Sequence, residues 1–267
     1  MRSSKFKITV KGDEADESIR LGDLVDQLNA LKLTLNQVDA SIAGGKPSDL
    51  YYRVTKITMN SPITVEVEAV SKSGSRARGQ RVVSKLNRDI RSVIAGKRPR
   101  EADLDLLESY RALVKPMQRH VVEVSFQFEN ELVPLPRNLD IKVDEILGPD
   151  QTEQGSIVGS LDVLDIHNHR NVFKVYPVVG PKSIKCSFTR AQLPEAIAGI
   201  NHFVKISGLL HYKKAEKFPH LIKVDSIEVL PERGNVSSLS GLRGMVPDAF
   251  DGLSSTEYVE KVRNGEW

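Results

Sequence analysis

Much of what this chain could be is excluded by what it has little of. It holds one cysteine, Cys186, and one tryptophan, Trp267, in 267 residues. A lone thiol makes no internal disulfide, which suits a reducing cytosol. No apolar run approaches the roughly 20 residues of a bilayer-spanning helix, so no membrane partner is expected. Residues 1–10 are charged and lack the apolar core of a signal peptide. Neither sign of charge dominates: 38 Lys and Arg face 35 Asp and Glu, for a net charge of +3. That total does not mark a nucleic-acid binder. Catalytic motifs are missing too. There is no Gly-x-Ser-x-Gly, no phosphate loop ending in Lys-Ser/Thr and no His-Glu-x-x-His. No enzymatic activity and no cofactor are therefore expected.

What is present reads as an α+β chain. Residues 5–10 alternate like a strand. Leu21, Leu24, Leu28, Leu31, Leu35, Val38 and Ile42 follow at steps of three and four, the spacing of one helix face. Gly44-Gly45 and Pro47 stop that helix. The stripe suits a core helix; its three heptads also suit a coiled-coil seam. Residues 51–59 and 63–70 are β-rich around Asn60-Ser61-Pro62 and predict a hairpin, with Thr64, Glu66 and Glu68 facing solvent. Two helices follow, one carrying Val82, Val83, Leu86, Ile90, Val93 and Ile94, the other spanning about 101–114. Residues 120–128 and 139–146 read as strands. Residues 1–148 thus form an α+β domain with a long helix and an antiparallel sheet, closed by Gly148-Pro149-Asp150.

Residues 155–231 have a different order: strands at 156–166, 172–178 and 184–188, a short helix at 192–200, then strands at 203–212 and 221–230. Three strands, a helix and two strands is the order of an OB-fold, a five-stranded β-barrel. Gly208 interrupts the inward residues of the fourth strand, as a tight bend requires. Residues 232–240 are polar and Ser/Gly-rich, a flexible linker. Residues 241–267 end in a short amphipathic helix, capped by Ser254 or Ser255 with Glu257, and apolar at Tyr258, Val259 and Val262.

Candidate binding residues fall into two sets. The first is basic. Between Lys72 and Arg100 there are ten Lys or Arg and one acid, Asp89, with Arg78, Arg81, Lys85 and Arg88 on the polar side of a helix. The OB-like unit adds Lys174, Lys185 and Lys205, with aromatics at Phe173, Tyr176 and Phe188. Cations that track phosphates and aromatic faces that stack on bases are the means of single-strand binders. A nucleic-acid partner is one reading, and solvated lysines around a core of aromatics is the other. The second set is the tail: a linker, then Arg243, Phe250, Tyr258, Val259, Val262, Arg263 and Trp267. Arg, Tyr and Trp are enriched at interface hot spots, so this segment is expected to fold on a protein partner. His167 and His169 share one side of an extended chain, but no third ligand lies near, and they read as solvated loop residues. Cys186 alternates with Ile184 and Phe188 and reads as a buried structural thiol.

The runs Gly155-Ser-Ile-Val-Gly-Ser-Leu, Val204-Lys-Ile-Ser-Gly-Leu-Leu-His-Tyr and Ile222-Lys-Val-Asp-Ser-Ile-Glu-Val-Leu-Pro resemble uncharacterised bacterial proteins with an OB-like domain, associated with PIN-domain ribonuclease toxins. The segments Leu242-Arg-Gly-Met-Val-Pro-Asp and Gly252-Leu-Ser-Ser-Thr-Glu-Tyr-Val-Glu-Lys-Val-Arg-Asn-Gly-Glu-Trp are similar to the toxin-binding ends of antitoxins in such pairs. The resemblance covers about 110 residues, 155–267. It implies a cytosolic antitoxin whose tail arginine, Arg263 first and Arg243 second, pairs with the acidic metal pocket of a PIN nuclease. Tyr258, Val259, Val262 and Trp267 would anchor the helix. Antitoxins of that kind are short and carry a compact DNA-binding head; this chain is long and shows no helix-turn-helix.

Overall fold

The computed structural model describes residues 4–44, 50–58, 61–72, 76–167, 170–181, 183–214, 216–231 and 253–265. The chain divides into two compact units: Met1–Gln151 with Tyr212–Lys217, and Thr152–His211 with Phe218–Trp267. Among the described residues no helix is long and apolar enough to cross a membrane.

The first unit runs β1 (Lys5–Gly12), α1 (Leu21–Ala43), β2 (Leu50–Thr58), β3 (Ile63–Ser71), α2 (Arg76–Ile94), α3 (Leu104–Ala112), β4 (Val121–Phe128), β5 (Glu131–Pro134) and α4 (Leu139–Leu147). Its five strands form one antiparallel sheet in the order β2-β3-β1-β4-β5. Strict alternation in β1 sends Phe6, Ile8 and Val10 into the core and leaves Lys5, Lys7 and Thr9 on the other face. That open face is held by cross-strand polar pairs: the Thr9 and Thr64 hydroxyls lie 3.0 Å apart, and Arg53 reaches Glu68 at 2.9 Å. The core face joins Phe6, Phe126 and Phe128 to Leu35, Leu86, Ile90, Leu107 and Tyr110 in one cluster.

Helix α1 uses its leucine stripe only in part. Leu31, Leu35 and Val38 are buried in the unit's own core, which removes them from any coiled-coil seam, whereas Leu21 is 77% exposed. Polar residues take the remaining buried positions, and two of them bond backbone carbonyls in and just after α3. Gln27 Nε2 donates to the Leu113 carbonyl at 3.1 Å, and the Thr34 hydroxyl donates to the Ser109 carbonyl at 3.0 Å. Gly44 ends the helix in the left-handed conformation, φ 58°, open to a residue without a Cβ. The expected strand at 139–146 is instead α4. Leu139, Val143 and Leu147 are buried at four-residue steps while Ile141 stays exposed. Positions two apart fit an alternating pattern, but a buried set at every fourth residue fits a helix equally, and here tertiary packing chose the helix. The neighbouring strand, β5, has only four residues and pairs with β4 alone.

The second unit runs β6 (Gln151–Asp165), β7 (Val172–Pro177), β8 (Ile184–Ser187), α5 (Leu193–Ala198), β9 (Phe203–Tyr212), β10 (Leu221–Val229) and α6 (Ser255–Asn264), with a 3-10 turn, Arg190–Gln192, leading into α5. Five strands close into a hydrogen-bonded ring in the order β10-β8-β7-β6-β9. The β6–β7, β7–β8 and β9–β10 pairings are antiparallel, and β8 runs parallel to β10. The interior is Leu161, Phe173, Val175, Ile184, Cys186, Phe188, Val204, Ile206, Ile222 and Val224. Gly208 sits beside an irregularity in β10 between Val224 and Ser226, and a Cβ there would stand 2.1 Å from the Lys223 carbonyl oxygen. The Gln192 amide stitches the same irregularity by donating to the Val224 and Asp225 carbonyls at 3.1 and 2.9 Å. Gly208→Ala is therefore expected to force β9 and β10 apart and to lower the stability of this unit by about 2–3 kcal/mol, the upper range for overpacking, read as an earlier urea midpoint for the ring.

Candidate partner-binding and nucleic-acid surfaces

Helix α6 is capped at both ends by its own residues. The Ser254 hydroxyl accepts from the Glu257 backbone N–H at 3.3 Å, and the Glu257 carboxylate accepts from the Ser254 N–H at 2.8 Å, a closed capping box. Gly265, φ 73°, closes the other end. Its apolar side is not covered: Val259 is 49% and Val262 39% exposed, and Tyr258 is half-buried. Arg263 is exposed and stands four residues after Val259, so the two share a side of the helix. Arg243, Phe250 and Trp267 lie outside the described residues.

Hydrogen bonds from Ser254 hold the Glu257 carboxyl below its ordinary value of 4.5. A carboxylate lowered by folding adds stability above its unfolded pKa and loses it as pH falls through the folded one. The α6 amide shifts, followed by NMR on the full chain, are expected to be helical at neutral pH and to drift toward coil as the pH drops below about 4.5. Ser254→Ala should reproduce that drift at neutral pH, at a cost of about 1 kcal/mol to the helix.

The cations of α2 do not all reach solvent. Lys85 and Arg78, expected on a basic outer face, are turned inward. Lys85 Nζ lies 2.8 Å from the Asp89 carboxylate and 3.1 Å from the Arg100 carbonyl, with both side chains of the pair buried. Arg78 Nε donates to buried Asp39 at 2.8 Å. An apolar environment holds these acids only if a cation comes with them, so Arg78 and Lys85 are structural charges and cannot form a free phosphate-binding face. Arg81 and Arg88 remain exposed.

On the ring, Phe173 and Phe188 pack against each other inside, centroids 5.5 Å apart, and offer no face to a base. Lys174 and Lys185 point outward as direct cross-strand partners, and neither forms an ion pair among the described residues. Tyr176 lies two residues from Lys174 on the same outer face and is half-buried. Lys205 belongs elsewhere on the ring, on β9 opposite Glu228 of β10. One further cation joins this face. Lys223 is exposed in register with Ser187 of β8, and alternation along β10 carried that signal. Phe218 fills the space that a side chain at Gly180 would need, a tertiary contact with no local signature.

Cys186 lies in the ring's interior, and burial pushes its thiol up to about 12, which keeps it protonated and inert. His167 is exposed, its backbone N–H donating to Asp165 at 3.0 Å, and His169 lies outside the described residues. Among the described residues no group of His, Cys, Asp and Glu is arranged to hold a metal. Comparison of the chain with family models, with curated proteins and with solved structures finds no match in any of the three.

Proposed function

We propose that this chain is a non-catalytic binding protein of the bacterial cytosol, the antitoxin of a toxin–antitoxin pair, which neutralises a PIN-domain ribonuclease through its C-terminal tail. The observation that carries the reading is α6, a helix capped at both ends by its own residues with Val259 and Val262 exposed. A ten-residue helix is marginal alone in water, and its caps offset only part of that deficit. Laying the valine side into an apolar groove supplies the rest. The same docking delivers Arg263 beside the valines. In an acidic nuclease pocket its guanidinium can take a carboxylate in a bidentate pair and displace the divalent metal or the RNA. The second unit, proposed as an OB-fold, is a rigid mount for the tail. Its ring order, the parallel pairing of its third and fifth strands and the helix between the third and fourth support that assignment.

Deleting 241–267 is expected to abolish capture of the proposed PIN-domain nuclease partner, while the remainder keeps its circular dichroism and melting profile. Undiminished capture by the truncated chain would rule the reading out.

A second reading, a nucleic-acid-binding OB-fold, is favoured by one feature of the ring. Like charges placed directly opposite each other across two strands destabilise a sheet. Lys174 and Lys185 are so placed, with Lys223 one strand further on, and among the described residues none of the three has an acid partner. A phosphate chain would relieve that repulsion.

A further inference from the structure

A separate surface lies on the first unit. Helix α2 turns Arg81, Ser84, Arg88 and Arg91 to one side, at steps of three and four residues, and Ala95 follows just past its end. Beside this stripe, the turn between β4 and β5 walls off a cavity of about 490 Å³. A second, of about 430 Å³, continues along the helix to Lys97, and Ser84, Asn87 and Arg88 line both. From Ser84 to Ala95 the groove follows the helix for about 16 Å at 1.5 Å per residue.

The charges along it are only partly spent. Arg91 pairs with Glu131, at the β4–β5 end. Arg88 comes no nearer than 3.8 Å to Asp89, and that carboxylate already takes Lys85 at 2.8 Å and the Tyr110 hydroxyl at 3.0 Å. The Arg88 guanidinium, 67% exposed at the junction of the two cavities, therefore has uncommitted donors. Arg81 and Lys97 are exposed and form no ion pair among the described residues. The lining has one aromatic, Phe128, and it is buried. Such a groove cannot stack a base or enclose an apolar ligand. It offers Arg88, Arg91 and Lys97 with serine and asparagine hydrogen-bonding groups between them. Arg81 stands one helical turn before the lining, and the carboxylates Glu129 and Glu131 lie at the β4–β5 end.

We propose that this groove carries the sugar–phosphate backbone of single-stranded nucleic acid, Arg81, Arg88 and Lys97 each meeting a phosphate, without base readout. The proposal rests on the second reading above and locates a strand track for it on α2. Each phosphate neutralised on a single strand contributes about 0.7 to the slope of log affinity against log salt. Fluorescence polarisation with labelled (dT)12 on the full chain tests it. Arg81→Gln, Arg88→Gln and Lys97→Gln combined should lower affinity at least tenfold at low salt and reduce the salt slope by about 2. All three side chains are exposed, so folding should be unchanged by circular dichroism. Lys174→Gln with Lys185→Gln is the comparison variant. If (dT)12 binds and only the ring variant loses it, the α2 track is wrong and the nucleic-acid reading stands. If (dT)12 does not bind at millimolar protein in low salt, both fall. Tighter binding of a duplex 12-mer or of a poly-glutamate peptide than of (dT)12 would also overturn the track.

Discussion

Replacing Val259 and Val262 together by aspartate is expected to weaken capture of the proposed nuclease partner by about 100- to 10,000-fold. Both side chains are exposed in this chain, so the substitution removes no core contact here. In a complex each would be buried, and full burial of an aliphatic side chain contributes about 1.5–3 kcal/mol. Two such losses total about 3–6 kcal/mol, and each 1.4 kcal/mol is a factor of ten. The helix itself should survive, because its capping box involves neither valine and its Gly265 terminus uses Val262 only through the backbone carbonyl, which the substitution keeps. Arg263→Glu separates the two parts of the proposed interface. It keeps the apolar anchors but places a carboxylate against an acidic pocket, so affinity should fall by about 2–5 kcal/mol and nuclease activity should return. Surface plasmon resonance with the purified nuclease gives the affinities, and a fluorogenic RNA substrate gives the activity. Full inhibition by the double valine variant would show that α6 is not the docking element.

The second large effect lies in the core of the first unit. Asp89→Ala is expected to destabilise that unit by about 3–5 kcal/mol, the cost of breaking a buried pair from one side. Asp89 is 1% exposed and accepts from Lys85 and from the Tyr110 hydroxyl. Its loss leaves the Lys85 ammonium, itself 5% exposed, with the Arg100 carbonyl as acceptor, and removes the Asp89 acceptor of the Tyr110 hydroxyl. Tyr110 reports the environment: burial first, and then the Asp89 charge, pushes its phenol above the ordinary value of 10. In a domain of this size about 1 kcal/mol corresponds to 2–4 °C, so the melting of the first unit should fall by roughly 6–20 °C. Lys85→Met with Asp89→Leu should recover more than half of the loss, because an apolar pair of similar volume carries no desolvation cost. A loss below about 1 kcal/mol in Asp89→Ala would mean that water or relaxation reaches the site. Urea melts followed by tyrosine fluorescence and circular dichroism read both variants.

Sequence periodicity determined the elements wherever one period was unambiguous. Alternation in Phe6, Ile8 and Val10 and in Ile63, Val65 and Val67 fixed strands and their buried faces, and the spacing from Val82 to Ile94 fixed α2. The order of strands and helix after Gly155 was legible for the same reason, as was the capping chemistry of Ser254 and Glu257, which is local. Periodicity failed at Leu139–Leu147, where two periods share positions and packing chose between them. It also failed for charge. The sequence places Arg78, Lys85 and Arg88 alike on the polar side of α2. Only the tertiary structure brings Asp39 to the first and Arg100 to the second, so that two cations are spent inside the fold and one is left at a groove. Likewise Lys174 and Lys185 are eleven residues apart in the chain and become neighbours only when β7 pairs with β8. Local steric and hydrophobic patterns are written along the chain. Which charges remain free depends on what comes near them from distant segments, and that is set by the packed three-dimensional structure alone.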